Sequence, residues 1–456
     1  MEIFIVLVFV LGYLGITLEH SLKVDKLVPA LLMMALAWAG VAFGLDGFTA
    51  WFDSHAHSML EGFGVMDHEE RLHVLESTLL HHFGKTCEIL IFLVGAMTIV
   101  EIIDHFNGFS TIKNFIKTNK KRTLLWIVCI LGFILSAIID NLTATIVLIT
   151  ILRKLVPESK DRIWFAGLII IAANAGGAWS PIGDVTTTML WMGKKVTAGK
   201  LVEYLIIPSL ICMIIPTLVA SFLPAFKGTF DADQEEESKD KHGALMLYLG
   251  LALIVFVPIF KTITHLPPYV GMMLSLSIVA MVAEIISNRR FSITSLEQEE
   301  ESQDAAGNHP SSPTFAALAK IEMPSILFFL GILMTVAALE SLGLIFTFGE
   351  DVQSSISSEL FVMLLGAGSA VIDNVPLVAA SMGMFDMTNH PIDGHIWHFI
   401  AYAAGTGGSM LIIGSAAGVV AMGMEKISFF WYLKKIAWLA LIGYLAGFGF
   451  MIMLHS

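Results

Sequence analysis

The segment Ser136-Ala-Ile-Ile-Asp-Asn141 recurs as Ser369-Ala-Val-Ile-Asp-Asn374, and each copy lies inside an apolar stretch. An isolated charge at the centre of a membrane helix costs about 2.5–3.5 kcal/mol, so intramembrane carboxylates usually serve a function. Duplicated motifs in two halves of a chain are typical of transporters built from internal repeats, with the binding site at the repeat interface. The two motifs therefore predict two related halves that meet at a polar site.

The composition indicates a polytopic, all-α membrane protein. Of the 456 residues 56% are hydrophobic and 14% are charged, with a mean hydropathy of +0.78. Soluble domains have about 25% charged residues. Apolar runs long enough to cross a bilayer recur along the chain. The first run lacks a basic region and a cleavage site, so we expect a retained helix. The net charge of −13 argues against a nucleic-acid partner.

Polar interruptions divide the chain into segments. We expect N-terminal transmembrane helices (1–45), an external polar loop (46–85), a first repeat (86–226), a cytoplasmic loop (227–243), transmembrane helices that open a second repeat (244–287), a cytoplasmic acidic linker (288–320) and the remainder of the second repeat (321–456).

Charge around the two motifs predicts opposite orientations. Lysines and arginines flank the first motif on both sides, at 113–122 and 153–162, and such residues mark the cytoplasmic face. The first motif should thus form the tip of a re-entrant hairpin that enters from the cytoplasm. The flanks of the second motif, 350–359 and 386–393, carry acids and no Lys or Arg, so the second hairpin should enter from outside. The same rule places both termini outside, although Lys194, Lys195 and Lys200 disagree with it.

A second repeated motif follows each hairpin. The stretches 172–184 and 402–414 match at Gly176/Gly407, Gly177/Gly408 and Gly183/Gly414. Glycine pairs and, in the first copy, Pro181 break helices. Irregular backbone at membrane depth is tolerated only where it lines a cavity or is buried in protein. The expected fold is therefore an inverted repeat, with one re-entrant helical hairpin and one broken transmembrane helix in each half.

These tips and breaks offer carboxylate, amide and hydroxyl oxygens, which suit a small hard cation. The candidates are Asp140, Asn141, Asn174, Ser180, Asp184, Thr186 and Thr187 in the first half, and Ser369, Asp373, Asn374, Thr406, Ser409 and Ser415 in the second. Burial without a compensating cation favours the protonated carboxyl group, so protons and a metal cation would compete for one site. That competition is an antiport mechanism. The alternative is a sodium-coupled carrier of an organic anion such as citrate or a dicarboxylate, or an arsenite-type carrier; the aspartates at both tips argue against anions.

Segments 136–152, 172–190, 369–385 and 405–424 resemble the NhaD-type sodium/proton antiporters of the ion transporter superfamily. The resemblance implies extrusion of Na⁺ or Li⁺ in exchange for H⁺ across a bacterial inner membrane, without a cofactor. The chain could also assemble as a homodimer. It implies functional roles for Asp140, Asn141, Asn174, Asp184, Thr186, Thr187, Ser369, Asp373, Asn374 and Ser409. The second broken helix departs from the first, because Ser415 stands at the position of Asp184 and Ile412 at that of Pro181.

The aspartates and threonines of the site also have a structural interpretation. Asp140 and Asp373 could be buried acids satisfied at a hairpin tip. Asp184 could cap the second half of its broken helix. The hydroxyls of Thr186 and Thr187 could bond back to their own helix.

Three further acids, Glu101, Asp104 and Glu340, fall in corresponding helices of the two halves. They are candidates for a proton path, with a solvated helix end as the alternative. The His-rich segment 46–85 is interpreted as a solvated loop, with pH sensing as the alternative. No Ser-His, Cys-His or HExxH constellation falls at matching depths, so the sequence does not indicate an enzyme.

Overall fold

The computed structural model describes residues 1–17, 23–53, 58–113, 116, 118–230, 241–298, 312–371, 374–385, 387 and 389–455. Two-residue strands β1 (Phe52–Asp53) and β2 (Ser58–Met59) pair antiparallel. Up to the end of the first repeat the α-helices are α1 (Glu2–Thr17), α2 (Leu27–Gly44), α3 (His68–His105), α4 (Ser110–Lys113), α5 (Lys121–Ile139), α6 (Asn141–Leu155), α7 (Ser159–Gly177), α8 (Val185–Met192) and α9 (Ala198–Ala220).

The remaining α-helices are α10 (Lys241–Thr264), α11 (Pro268–Gln298), α12 (Pro313–Leu318), α13 (Met323–Ser341), α14 (Leu344–Ser355), α15 (Ser358–Gly368), α16 (Asn374–Met384), α17 (His395–Gly407), α18 (Ala416–Glu425), α19 (Phe429–Lys435) and α20 (Ala437–His455). Among the described residues, eight helices are long and apolar enough to cross a membrane. The predicted all-α membrane architecture is confirmed.

The chain forms two compact units. One comprises Met1–Leu90, Lys120–Phe230 and Met323–Ser456, and the other Ile91–Asn119 and Asp231–Glu322. In the first unit α5 packs along α7, and α9 packs along α20. In the second unit α10 packs against α11. The first Asp–Asn motif, the described residues of the second motif and both broken helices belong to the first unit.

The predicted hairpins and broken helices lie where the sequence places them. Helices α5 and α6 pack against each other and are separated at Asp140, and α15 and α16 lie on either side of the second motif. Helix α7 ends at Gly177 and α8 starts at Val185, whereas α17 is followed by a 3₁₀ turn and then α18. The arms α15 and α16 have 11 residues each. At 1.5 Å per residue they span about 16 Å, roughly half the hydrocarbon thickness of a bilayer.

Repeated glycines give the two halves the same close contacts between broken helix and hairpin. A Cβ atom at Gly176 would overlap the carbonyl oxygen of Phe133 in α5, and one at Gly407 would overlap that of Gly366 in α15. Phe133 and Gly366 each lie seven residues before the aspartate of their motif. A side chain at either glycine would force the broken helix away from its hairpin, which explains glycine at both positions.

A second glycine pair repeats this arrangement inside the breaks. A Cβ atom at Gly183 would lie 2.9 Å from Cα of Ala137, and one at Gly414 would lie 2.7 Å from Cα of Ala370. Ala137 and Ala370 hold the same position in the two motifs. Residues that the glycines align in the two repeats of the sequence therefore also make equivalent contacts in the structure.

An ion-pair cluster joins the ends of α6, α7 and α18. The Glu425 carboxylate, 1% exposed, accepts hydrogen bonds from Nε of Arg153 at 2.7 Å and from Nε of Arg162 at 2.9 Å. Arg153 also donates to the carbonyl of Met424. Arg162 donates to the carbonyl oxygen of Val156 at 2.9 Å. The first hairpin and the second broken helix are thus fixed to each other at this end.

Helix α3 starts earlier than the composition suggests. Residues 68–85, which the sequence places in a polar loop, form its first turns. The cause is a reciprocal cap: the amide of Glu70 donates to the Asp67 carboxylate at 2.9 Å, and the amide of Asp67 donates to the Glu70 carboxylate at 3.1 Å. Helix α11 likewise continues to Gln298, into the segment assigned to the acidic linker. The external and cytoplasmic positions of these segments remain predictions.

Candidate functional site

Asp140 sits at the tip of the first hairpin in a strained backbone conformation. Its φ of 81° and ψ of 160° belong to a region that is almost exclusively used by glycine and costs about 1–3 kcal/mol. The carboxylate folds back onto α6, accepting from the amide of Thr143 at 2.8 Å and from its hydroxyl at 2.9 Å. Asp140 therefore caps α6, as the structural interpretation expects. Strain at a non-glycine residue persists only where the surroundings impose it and is typical of functional sites.

Three side chains connect the first hairpin to both broken helices. Asn141 donates from Nδ2 to Oδ1 of Asn174 at 3.0 Å, and Asn174 donates from Nδ2 to the hydroxyl of Ser415 at 3.0 Å. All three residues are buried. Ser415 in turn accepts from the amide of Gly418 at 3.2 Å and so caps α18. These three side chains thus form one hydrogen-bonded row, in which the bonded partners Asn174 and Ser415 are 241 residues apart in sequence.

A second set of contacts connects the second hairpin to the first broken helix. The carboxylate of Asp184, only 5% exposed, accepts from Nδ2 of Asn374 at 3.0 Å and from the hydroxyl of Thr186 at 2.7 Å. Asp184 precedes α8 but makes no capping hydrogen bond with its side chain. The capping interpretation of Asp184 is therefore wrong, and its carboxylate faces the opposite half of the chain.

The two carboxylates of the first half interact with each other. The like charges of Asp140 and Asp184 act on each other through space, more weakly than the removal of Asp140 from water acts on its charge. Two neighbouring carboxylates cannot both remain charged at low cost unless a proton or a cation neutralises one of them. Asp373, the counterpart of Asp140, lies outside the described residues.

Other predicted residues bond to their own helices. Thr187 donates to the carbonyl of Asp184 at 2.9 Å, Ser369 to that of Gly366 at 2.8 Å and Ser409 to that of Thr406 at 2.6 Å. All three side chains are buried. Their hydroxyl oxygens retain acceptor capacity, since a hydroxyl that donates one hydrogen bond still has lone pairs.

The candidate proton-path acids fall into different units. Glu101 and Asp104 belong to the second unit, where they interact electrostatically with each other. Glu340 belongs to the first unit, where a Cβ atom at Gly383 of α16 would lie 3.5 Å from its carboxyl carbon. Glu340 thus lies beside the second hairpin.

Gly405 of α17 also lies at the site and is not among the predicted residues. A Cβ atom there would lie 3.7 Å from Oδ2 of Asp184 and 2.8 Å from Cβ of Ala178. The signal is present in the sequence, because the glycine register aligns Gly405 with Asn174.

Comparisons with known proteins show the family to which the chain belongs. A family model described as "Citrate transporter" (CitMHS) matches residues 13–397. The chain is 36% identical to "Sodium/proton antiporter 2" of Arabidopsis thaliana, with 99% of each protein covered. It is 39% identical to "Sodium/proton antiporter 1" of the same plant, over 100% of this chain and 73% of that protein.

A bacterial relative and a solved structure extend the comparison. "Na(+)/H(+) antiporter NhaD" of Alkalimonas amylolytica is 29% identical, over 98% of this chain and 90% of that protein. The crystal structure of the Alcanivorax borkumensis YdaH transporter matches with a TM-score of 0.58 at 14% identity, covering 92% of this chain and 97% of that one, and so shares the fold. The chain therefore belongs to the citrate transporter (CitMHS) family and, within it, to the NhaD-type sodium/proton antiporters.

Proposed function

We propose that this protein exchanges Na⁺, and also Li⁺, for H⁺ at one buried site that both kinds of ion share. The observation that carries the proposal is the Asp184 carboxylate, which is buried and accepts a hydrogen bond from Asn374 of the other half. The proposal is also supported by the relatives named sodium/proton antiporters.

The chemistry follows from charge. Either a sodium ion or a proton relieves the repulsion between Asp140 and Asp184, and binding of one disfavours binding of the other. The carboxylates, the hydroxyl of Thr186 and the amide oxygen of Asn374 supply oxygen donors for a hard monovalent cation. The loaded or protonated site carries less charge than the empty one, so it crosses the membrane at lower cost.

The proposal also gives roles to the other residues of the predicted site. Asn141 and Asn174 orient the first hairpin against the breaks, and Thr187, Ser369, Asp373 and Ser409 are proposed to contribute oxygens during the cycle. We also propose that both termini lie outside and that Glu101, Asp104 and Glu340 serve as a proton path.

The matching family model is described as "Citrate transporter", so the alternative function to weigh is the sodium-coupled citrate transport considered in the sequence analysis. A citrate site would require groups that attract anions, such as a free helix N-terminus. Here Asp140 occupies the start of α6 and Asp184 the start of α8, so negative charge lies where an anion would have to bind.

Flux measurements in proteoliposomes separate the two functions. An imposed pH gradient should drive ²²Na⁺ transport by the wild-type chain, and this transport should be lost in Asp140→Asn and Asp184→Asn. The control Glu203→Gln removes an exposed carboxylate in α9 and should transport normally. Sodium uptake that requires citrate and ignores the pH gradient would overturn the proposal, as would full exchange by Asp184→Asn.

A further inference from the structure

Each helix half that follows a break packs along one arm of the other half's hairpin. Helix α18 packs against α6, and the Glu425 cluster joins the ends of these two helices that lie away from the Asp–Asn motif. Helix α8 packs against α16 in the same way. At one end of this second pair Asn374 donates to Asp184, and at the other end a Cβ atom at Gly193 would overlap the side chain of Met382. The residues that follow α8 therefore occupy the place that the Glu425 cluster occupies in the first pair.

The residues that follow α8 bind the segment that precedes α17. The carbonyl oxygen of Lys195 accepts a hydrogen bond from the amide of Asp393 at 3.0 Å. The Asp393 carboxylate accepts from the amide of Thr197 at 2.6 Å and from its hydroxyl at 2.9 Å. Asp393 has a φ of 62°, a conformation that aspartate adopts more readily than most residues. These contacts join the first broken helix to the chain that leaves the second hairpin.

Lys195 brings a buried charge to this junction. The residue is 3% exposed, and its Nζ lies 4.5 Å from the centre of the indole ring of Trp397, which is itself fully buried. A cation over an indole face is attracted by the ring, and more strongly where both are removed from water. The adjacent Lys194 is exposed. Lys195 thus serves a contact inside the protein, so it is not a signal for the cytoplasmic face, and this explains part of its disagreement with the charge rule.

The two junctions occupy equivalent positions in the repeats. Thr197 and Ser428 each cap the helix that follows, and their spacing in the sequence is that of the matched glycines. Lys195 precedes the first cap by two residues, and Glu425 precedes the second by three. The charge is reversed, because a base follows the broken helix at one junction and an acid ends it at the other. Both helix pairs are therefore held at the end away from the Asp–Asn motif by a charged residue of the broken helix.

We propose that Lys195, through its contact with Trp397, is a positioning residue for Na⁺ binding, which holds the far end of α8 so that Asp184 keeps its place against Asn374. Helix α8 has only 8 residues and is about 12 Å long, so a shift at its end moves Asp184 at its start. Groups that bind an ion must be held to within about 0.5 Å of their working geometry. The inference rests on the proposed function, because it assumes that Asp184 binds sodium.

The Na⁺ dependence of H⁺ exchange, measured in proteoliposomes at one alkaline pH, tests the proposal. Lys195→Met keeps a long side chain and removes the charge from the indole face. We expect its KM for Na⁺ to rise about tenfold, with a turnover rate within about twofold of the wild type. Lys195→Arg keeps a cation over the ring and should restore the wild-type KM. The matched control Lys194→Met makes the same substitution at the exposed neighbour and should leave the KM unchanged.

An uncharged substitution separates positioning from a direct effect of the lysine charge on the site. Thr197→Val removes the hydroxyl that binds Asp393 and should also raise the KM, by a smaller factor, whereas Thr197→Ser should not. Thr197 is exposed, so this variant does not disturb buried packing. An unchanged KM in Lys195→Met or Thr197→Val, or a KM in Lys195→Arg as high as in Lys195→Met, would overturn the inference and leave the proposed function standing. Absence of Na⁺/H⁺ exchange by the wild-type chain would overturn both.

Discussion

The Glu425 cluster gives the most direct measure of how firmly the two halves are joined. We consider Glu425→Gln, which keeps the shape of the side chain and removes its charge. Breaking a buried ion pair typically costs about 3–5 kcal/mol, because the partner is left uncompensated. The Arg153 side chain is 45% exposed and that of Arg162 is 16% exposed, so water screens part of the loss. We therefore expect the lower end of the range, about 3 kcal/mol, which is a little over a hundredfold in an equilibrium constant.

Hydrogen exchange measured by mass spectrometry detects this loss of stability, because less stable segments open locally more often and their amides exchange faster. Peptides that cover 150–162 and 420–428 should exchange about 100-fold faster in Glu425→Gln than in the wild type, by the same conversion of free energy. The matched control is Glu203→Gln, whose pair with Lys200 is exposed and screened by water, so its loss should leave the protection of these peptides unchanged. Equal protection in Glu425→Gln and wild type, or equal loss in both variants, would refute the reasoning.

Two other predictions follow from the same structure. Gly176→Ala should destabilise the protein by about 1–3 kcal/mol, because its Cβ meets the Phe133 carbonyl, whereas Gly449→Ala should not; thermal unfolding in detergent compares the two, and equal melting temperatures would contradict the packing argument. Cysteines placed at Lys160 and Asp393 should be labelled from opposite sides of the membrane, since the flanking charge differs in sign; labelling of both from one side would contradict the inverted topology.

The sequence was sufficient to predict where helices break. Paired glycines, Pro181 and the Asp–Asn motifs mark positions where a helix is interrupted, because local backbone preferences decide this. The breaks at Asp140 and after Gly177 lie as predicted. The early start of α3 also has a signal in the sequence, since Asp67 and Glu70 have the spacing of a capping box. The many His and acidic residues of this segment nevertheless favoured the interpretation as a loop.

The contacts inside the site could not be predicted in this way. Asn374 and Asp184 are 190 residues apart, and their hydrogen bond depends on how the halves pack. The sequence also assigned similar roles to Asp140 and Asp184, whereas the first caps its helix and the second does not. The strained backbone of Asp140 could not be predicted from the sequence. The surroundings hold this aspartate at positive φ, and the residue type alone does not show it.

We propose that sodium and protons compete for the carboxylates where the two halves of the chain meet. The most direct test is the Na⁺ affinity of the purified protein as a function of pH between about 6 and 9, a range that brackets a carboxyl group whose protonation is favoured by burial. We expect the Na⁺ affinity to fall steeply as pH decreases, since protons then occupy the groups that coordinate the ion. An Na⁺ affinity that stays flat across this range would contradict it.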